Sequence, residues 1–161
     1  TEHFSLLMNM AEQNGFEHYE ISNFCRDEMY SKHNTSYWQR EKYLGIGPSA
    51  HSYNRDSRQW NVSNISGYIE AIGNEIIPCE KEILTASQKF NEYIMTSLRT
   101  QWGCDVRVIS KEFGEEFEQH FSEKSKKHLQ EEMMEQKENI FLLTTKGKYF
   151  ADRIASEIFA D

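Results

Sequence analysis

The residues best suited to chemistry fall in one polar stretch, His33-Asn34-Thr35-Ser36-Tyr37-Trp38, where an imidazole, an amide, a phenol and an indole lie within six positions. Such a set suits a flat aromatic ligand with polar edges, because imidazole binds haem iron axially and aromatic rings stack on a macrocycle face. The alternative is structural: His33 caps a turn while Tyr37 and Trp38 anchor the segment to a core. A second feature is Gly45-Ile46-Gly47-Pro48-Ser49-Ala50-His51, a run of small residues whose backbone amides can meet phosphate, adenine or carboxylate groups. It has neither the G-x-x-x-x-G-K-[ST] spacing of a phosphate loop nor the third glycine of a dinucleotide fingerprint. A tight turn around a core His51 is the alternative there.

Other reactive groups carry less. Cys25, Cys79 and Cys104 are widely separated and include no close pair, which disfavours a disulfide scaffold or a self-contained zinc or iron-sulfur clamp. Cys25 has no sequence neighbour that marks it as a nucleophile. The pairs Glu115-Glu116 and Glu131-Glu132 accompany strong apolar stripes and read as solvated helix faces.

These residues sit in a chain of 161, with 38% hydrophobic and 27% charged residues, enough for one domain or one plus a small second. Its 18 basic and 26 acidic side chains leave a net charge of −8, the wrong sign for a phosphate-backbone partner, so nucleic acid is not expected. No apolar run reaches the roughly 20 residues of a membrane span, and Thr1-Glu2-His3 does not open a basic, apolar leader. The expected setting is cytoplasmic. The chain begins with Thr1 rather than Met, and it is expected to be part of a longer protein.

Hydrophobic spacing supplies the supporting elements. Phe4, Leu7, Met8 and Ala11 share a helical face, and Asn14-Gly15 ends it, giving a helix over about 3–14. Alternation over 16–24 predicts a strand, residues 25–40 a loop, and 43–53 a short buried strand entering the small-residue turn. Arg58-Gln59-Trp60-Asn61-Val62 reads as a strand reached by a hairpin, and Ser66 as the cap of a helix through Ile72. From Thr85 the helical signal dominates, with Phe90, Ile94, Met95 and Leu98 on one face and Gly103 beyond. Val106, Ile109, Phe113, Phe117 and Phe121 continue at helical spacing, broken at Gly114, and a further helix carries Leu129 and Met133. Residues 139–143 form a strand, and Thr144 or Thr145 caps a last helix with Phe150, Ile154 and Ile158 as its core stripe. Helix, helix, short strand pair, helix is the order of a winged helix-turn-helix. Residues 105–161 hold nine Lys or Arg against thirteen Asp or Glu, and the basic group Lys124, Lys126, Lys127 is flanked by acids, so DNA reading is not expected of them.

Three blocks in order, Tyr19-Glu20-Ile21-Ser22-Asn23-Phe24, His33-Asn34-x-x-Tyr37-Trp38 and Tyr43-Leu44-Gly45-Ile46-Gly47-Pro48-Ser49-Ala50-His51-Ser52, are joined by Leu143-Thr144-Thr145-Lys146-Gly147 before the final helix. Together they resemble the radical S-adenosylmethionine (SAM) family of oxygen-independent coproporphyrinogen III oxidases and haem chaperones, across essentially the whole chain. The resemblance implies an α+β fold: the last strands and helices of a partial radical SAM barrel over 1–80, then a mostly helical, winged-helix-like domain over 81–161. It implies SAM and a [4Fe-4S] cluster in the full-length protein. The family's C-x-x-x-C-x-x-C cluster motif has no counterpart in these residues, so a segment like this one is not expected to carry out radical chemistry alone.

By position, the resemblance makes Cys25 and His51 candidates for lining the adenine side of SAM, although alanine is more usual where Cys25 stands. It makes His33, with Asn34, Tyr37 and Trp38, the haem-binding motif of the chaperone branch, with His33 as the iron ligand. Arg26-Asp27-Glu28 departs from the usual basic-Pro-Gly sequence. The implied activities are oxidative decarboxylation of porphyrinogen propionates or, favoured by His33, holding haem and delivering it to a haem-accepting protein. The alternative from another class is an acidic winged-helix adaptor without a cofactor.

Overall fold

The computed structural model describes residues 2–161. In chain order the elements are α1 (Glu2–Gln13), β1 (Glu17–Glu20), β2 (Asn23–Cys25), α2 (Lys32–Trp38), β3 (His51–Tyr53), β4 (Ser57–Asn61), α3 (Ile65–Gly73) and β5 (Cys79–Ile83). There follow α4 (Ala86–Leu98), β6 (Cys104–Asp105), α5 (Val106–Phe113), α6 (Glu115–Gln130), β7 (Met134–Lys137), β8 (Ile140–Leu143), α7 (Thr145–Lys148) and α8 (Ala151–Ile158). The fold is α+β; every strand pairing among the described residues is antiparallel, and the strands form separate open sheets of two or three, so they close no barrel. No helix among the described residues is long and apolar enough to cross a membrane.

The chain divides into two compact units, and the first is discontinuous in sequence. Residues 1–39 and 90–161 form one unit, and residues 40–89 form the other.

Helix α4, which begins in residues 40–89 and runs on into the discontinuous unit, opens with a reciprocal cap. The Gln88 N–H donates to Thr85 Oγ1 at 3.1 Å, and the Thr85 N–H donates to Gln88 Oε1 at 2.8 Å, satisfying two amides that the first turn leaves open. The expected stripe is inside: Phe90, Ile94 and Leu98 are buried with Ile109, Phe121, Phe141, Ile154 and Ile158. Gly114, at φ 96°, separates α5 from α6, and the Asp105 side chain caps α5 by accepting from the Arg107 N–H at 2.9 Å. Strands β6, β8 and β7 make a small sheet in that order. Thr144 caps α7 through the Gly147 N–H. A Cβ on Gly147 would collide with the Met133 carbonyl, which keeps that position free of a side chain. Leu129 lies on α6 itself rather than on a further helix, and Met133 lies beyond its end.

In the second unit, β3, β4 and β5 form an antiparallel sheet, with β4 central and His51 opposite Trp60. Of the expected buried strand at 43–53 only β3 forms, at its end. Leu44 and Ile46 are 76% and 84% exposed, and only Tyr43 bridges to Tyr53. Polar side chains hold this segment in place of a ladder. Ser52 Oγ accepts from the Gly45 N–H at 3.0 Å, and the buried Asn61 amide donates to the Gly47 carbonyl at 2.9 Å. Helix α3 is capped by Asn64, not Ser66, its side chain accepting from the Gly67 N–H at 2.7 Å.

Candidate functional site

The predicted strand over 16–24 is a hairpin. Strand β1 turns at Ile21-Ser22 into β2, and Glu17 pairs with Cys25 and His18 with Phe24. Both Tyr19 and Glu20 are buried, although alternate strand residues face opposite sides. The Glu20 carboxylate, with no exposed side-chain surface, accepts from the Ser22 N–H at 3.0 Å, from the Asn23 side-chain amide, and from Arg99 Nε at 3.0 Å. Arg99, at the end of α4, reaches on to Asp152 at 2.5 Å. Backbone bonds add to this, the Ile21 N–H donating to the Arg99 carbonyl and the Gln101 N–H to the Tyr19 carbonyl. Buried polar groups of this kind persist only when fully partnered.

Residues expected as loop include helix α2. Ser31 caps it by accepting from the Asn34 N–H at 3.3 Å. Apolar periodicity misses the helix because its faces are chiefly polar, and the geometry separates them into three. Asn34 faces the hairpin and Trp38 faces Arg99: Asn34 Nδ2 donates to Asn23 Oδ1 at 2.9 Å, and the Arg99 guanidinium lies 5.3 Å from the Trp38 ring centre. Lys32, Thr35, Ser36 and Gln39 line an open groove of about 630 Å³ with Met29 and Tyr30. His33 and Tyr37, one turn apart, are exposed, their rings edge to face at 4.9 Å. Neither ring nitrogen of His33 is hydrogen-bonded among the described residues. Of the motif's four singled-out residues, two are thus anchors and two are presented.

Cys25 is 5% exposed, and burial, with Glu17, Glu28 and Asp27 nearby, pushes its thiol up. It is a small packed group in the hairpin. His51, in the other unit, is exposed at the start of β3, its ring 6.3 Å from that of Trp60. Both border an open groove of about 400 Å³ shared with Ser49, Asn61 and Glu80. Ser49 takes φ 59° and donates its N–H to the Val62 carbonyl. The structure therefore brings together His33, Asn34, Tyr37 and Trp38, and places Cys25 in the same unit and His51 in the other. Composition missed Glu20, Asn23 and Arg99. The available signal was a carboxylate inside a short aromatic strand, which demands a cation from elsewhere.

His18 links the hairpin to α7. Its Nε2 donates to the Ile21 carbonyl at 3.0 Å, leaving Nδ1 to accept from Lys148 Nζ at 3.3 Å, and it stacks on Phe24 at 4.4 Å. Burial lowers the pKa of His18, as it does that of His128 on α6. Each imidazole stays neutral in the fold after the unfolded chain has begun to take up protons near pH 6.5. Stability contributed by both is therefore present above about pH 6.5 and lost as pH falls from there toward the folded pKa values. We expect the unfolding midpoint to drop between pH 7.5 and 5.5, and less so in a His18→Gln, His128→Gln variant; equal slopes would exclude these groups as the cause.

Residues 84–150 match the family model of the HemN C-terminal domain. Beyond this domain, the chain is similar to the carboxy-terminal portion of haem chaperones and, in fold, of a coproporphyrinogen III oxidase. It is 29% identical to the heme chaperone HemW of Bacillus subtilis over 95% of its own length and 41% of that protein's. It is 27% identical to the heme chaperone HemW of Lactococcus lactis, over 98% of its length and 41% of that protein's. Its fold matches that of Escherichia coli HemN, described as a coproporphyrinogen III oxidase and radical SAM enzyme. The TM-score is 0.74 at 15% identity, over 97% of this chain and 40% of that one. The chain thus spans about two fifths of the length of these relatives.

Proposed function

We propose that this chain is the haem-presenting part of a radical SAM protein of haem metabolism, of the chaperone rather than the decarboxylating kind. The observation that carries the reading is the exposed His33 imidazole, its nitrogens not hydrogen-bonded among the described residues, beside the exposed Tyr37 ring. That pair fits an axial iron ligand with an aromatic neighbour for the macrocycle. Haem is cargo here, received at His33 and passed to a haem-accepting protein. The names of the Bacillus and Lactococcus relatives support the same direction.

In the full-length protein, SAM supplies a radical source when a cluster is bound. By resemblance, Cys25 is a candidate for its adenine side, contributing through backbone because its thiol is packed away, and His51 in the turn Ser49-Ala50-His51 is a separate candidate. On the resemblance, residues 1–80 are read as the segment that adjoins the barrel in the full-length protein and 81–161 as a winged-helix-like lid or docking module. The order β6-β8-β7 beside α5 and α6, with a net charge of the wrong sign for DNA, supports that role.

Titration with ferric haem tests the reading. A saturable Soret change is expected for the wild type, lost in His33→Ala and retained in Cys25→Ser. Absence of a saturable change in the wild type, or its persistence in His33→Ala, would refute it.

A further inference from the structure

Helix α2 has seven residues, and helices shorter than about 12–15 residues are marginal in water on their own. Its orientation must come from outside. Three contacts supply it: the Ser31 N–H donates to the Tyr19 hydroxyl at 3.3 Å, Asn34 Nδ2 to Asn23 Oδ1 at 2.9 Å, and Trp38 lies against Arg99. The second and third converge on the buried Glu20 carboxylate, which accepts from both Asn23 and Arg99. Asn23 is used at both ends, its NH2 on Glu20 and its oxygen on Asn34. The Glu20 carboxylate accepts only, so it fixes which way the Asn23 amide faces, and that in turn presents an acceptor to α2.

We propose that Asn23 is a positioning residue for His33: it carries the orientation of the buried Glu20–Arg99 pair to α2 and so turns His33 and Tyr37 outward. The proposal rests on the reading of His33 as the haem ligand. Successive helix residues differ by roughly 100° in direction. With Asn34 held on Asn23 and Trp38 against Arg99, His33 and Tyr37 lie about a quarter turn round the helix, at exposed positions. A slip of one residue would carry the imidazole into the hairpin face instead.

The test pairs Asn23→Ala with Asn34→Asp, which removes the same donor from the α2 side without touching Glu20. Amide hydrogen exchange is read for α2 against α4 and α6, alongside ferric haem titration. In both variants exchange across α2 is expected to quicken by about tenfold, the worth of one lost amide hydrogen bond, with α4 and α6 unchanged. Haem affinity should fall by a similar factor, and the spectrum should move toward that of His33→Ala. A merely structural role would lower protection everywhere together and leave the spectrum of bound haem intact. Unchanged α2 exchange in Asn34→Asp overturns the proposal. If the wild type binds no haem, the functional reading fails alone, and the exchange of α2 still decides the role of Asn23.

Discussion

Replacing Arg99 by methionine is expected to cost about 3–5 kcal/mol of stability, because it leaves the Glu20 carboxylate buried without its cation. The Glu20 side chain has no exposed surface, whereas Asp152, the other partner of Arg99, is 74% exposed and adds little. Arg99→Lys keeps the charge but cannot at once bond Glu20, reach Asp152 and lie over Trp38, so it should fall between. The double variant Glu20→Gln, Arg99→Met removes both charges, and most of the loss should return. Urea unfolding of the four proteins measures this. A loss below about 1 kcal/mol in Arg99→Met would mean that the carboxylate finds another partner.

Phe90→Ala should be comparably damaging, by about 3–5 kcal/mol. The Phe90 ring is fully buried and sits 4.9 Å from Phe117, 5.8 Å from Phe113 and 5.9 Å from His120, so it ties α4 to both α5 and α6. Its removal opens a cavity between helices that are already braced by their own contacts and cannot collapse freely. Phe150→Ala is the control. That ring is 43% exposed, and its loss should stay within about 1 kcal/mol. Similar losses in the two variants would show that the core is not centred on Phe90.

Helices α4, α5, α6 and α8 were legible because each carries an apolar stripe at 3.6-residue spacing, and Thr85, Gly114 and Thr144 punctuate them as caps and breaks should, although the expected single last helix is divided into α7 and α8 with Phe150 between them. Helix α2 was not, since it is held by amide, indole and guanidinium contacts rather than by an apolar stripe. The hairpin was read as one strand because Ile21-Ser22 lacks the Gly or Asn that marks a tight turn; its turn is instead stabilised by Glu20 accepting from the Ser22 N–H. Leu44 and Ile46 misled in the opposite direction, being apolar yet exposed. At the site, residue type alone left His33 and its neighbours either ligand or anchor. In the structure Asn34 and Trp38 make anchoring contacts, whereas His33 and Tyr37 are exposed.

The discontinuity of the larger unit has a thermodynamic corollary. Glu20 and Arg99 are 79 positions apart, so residues 40–89 lie within a loop that must be closed before this pair can form. Closure entropy grows only with the logarithm of loop length, and doubling the loop would add about 0.6 kcal/mol. The larger unit can therefore tolerate an insertion of widely varying length between Gln39 and Phe90 at little cost. The pairing of Glu20 with Arg99 constrains the residues on either side of that insertion far more tightly than it constrains the insertion itself.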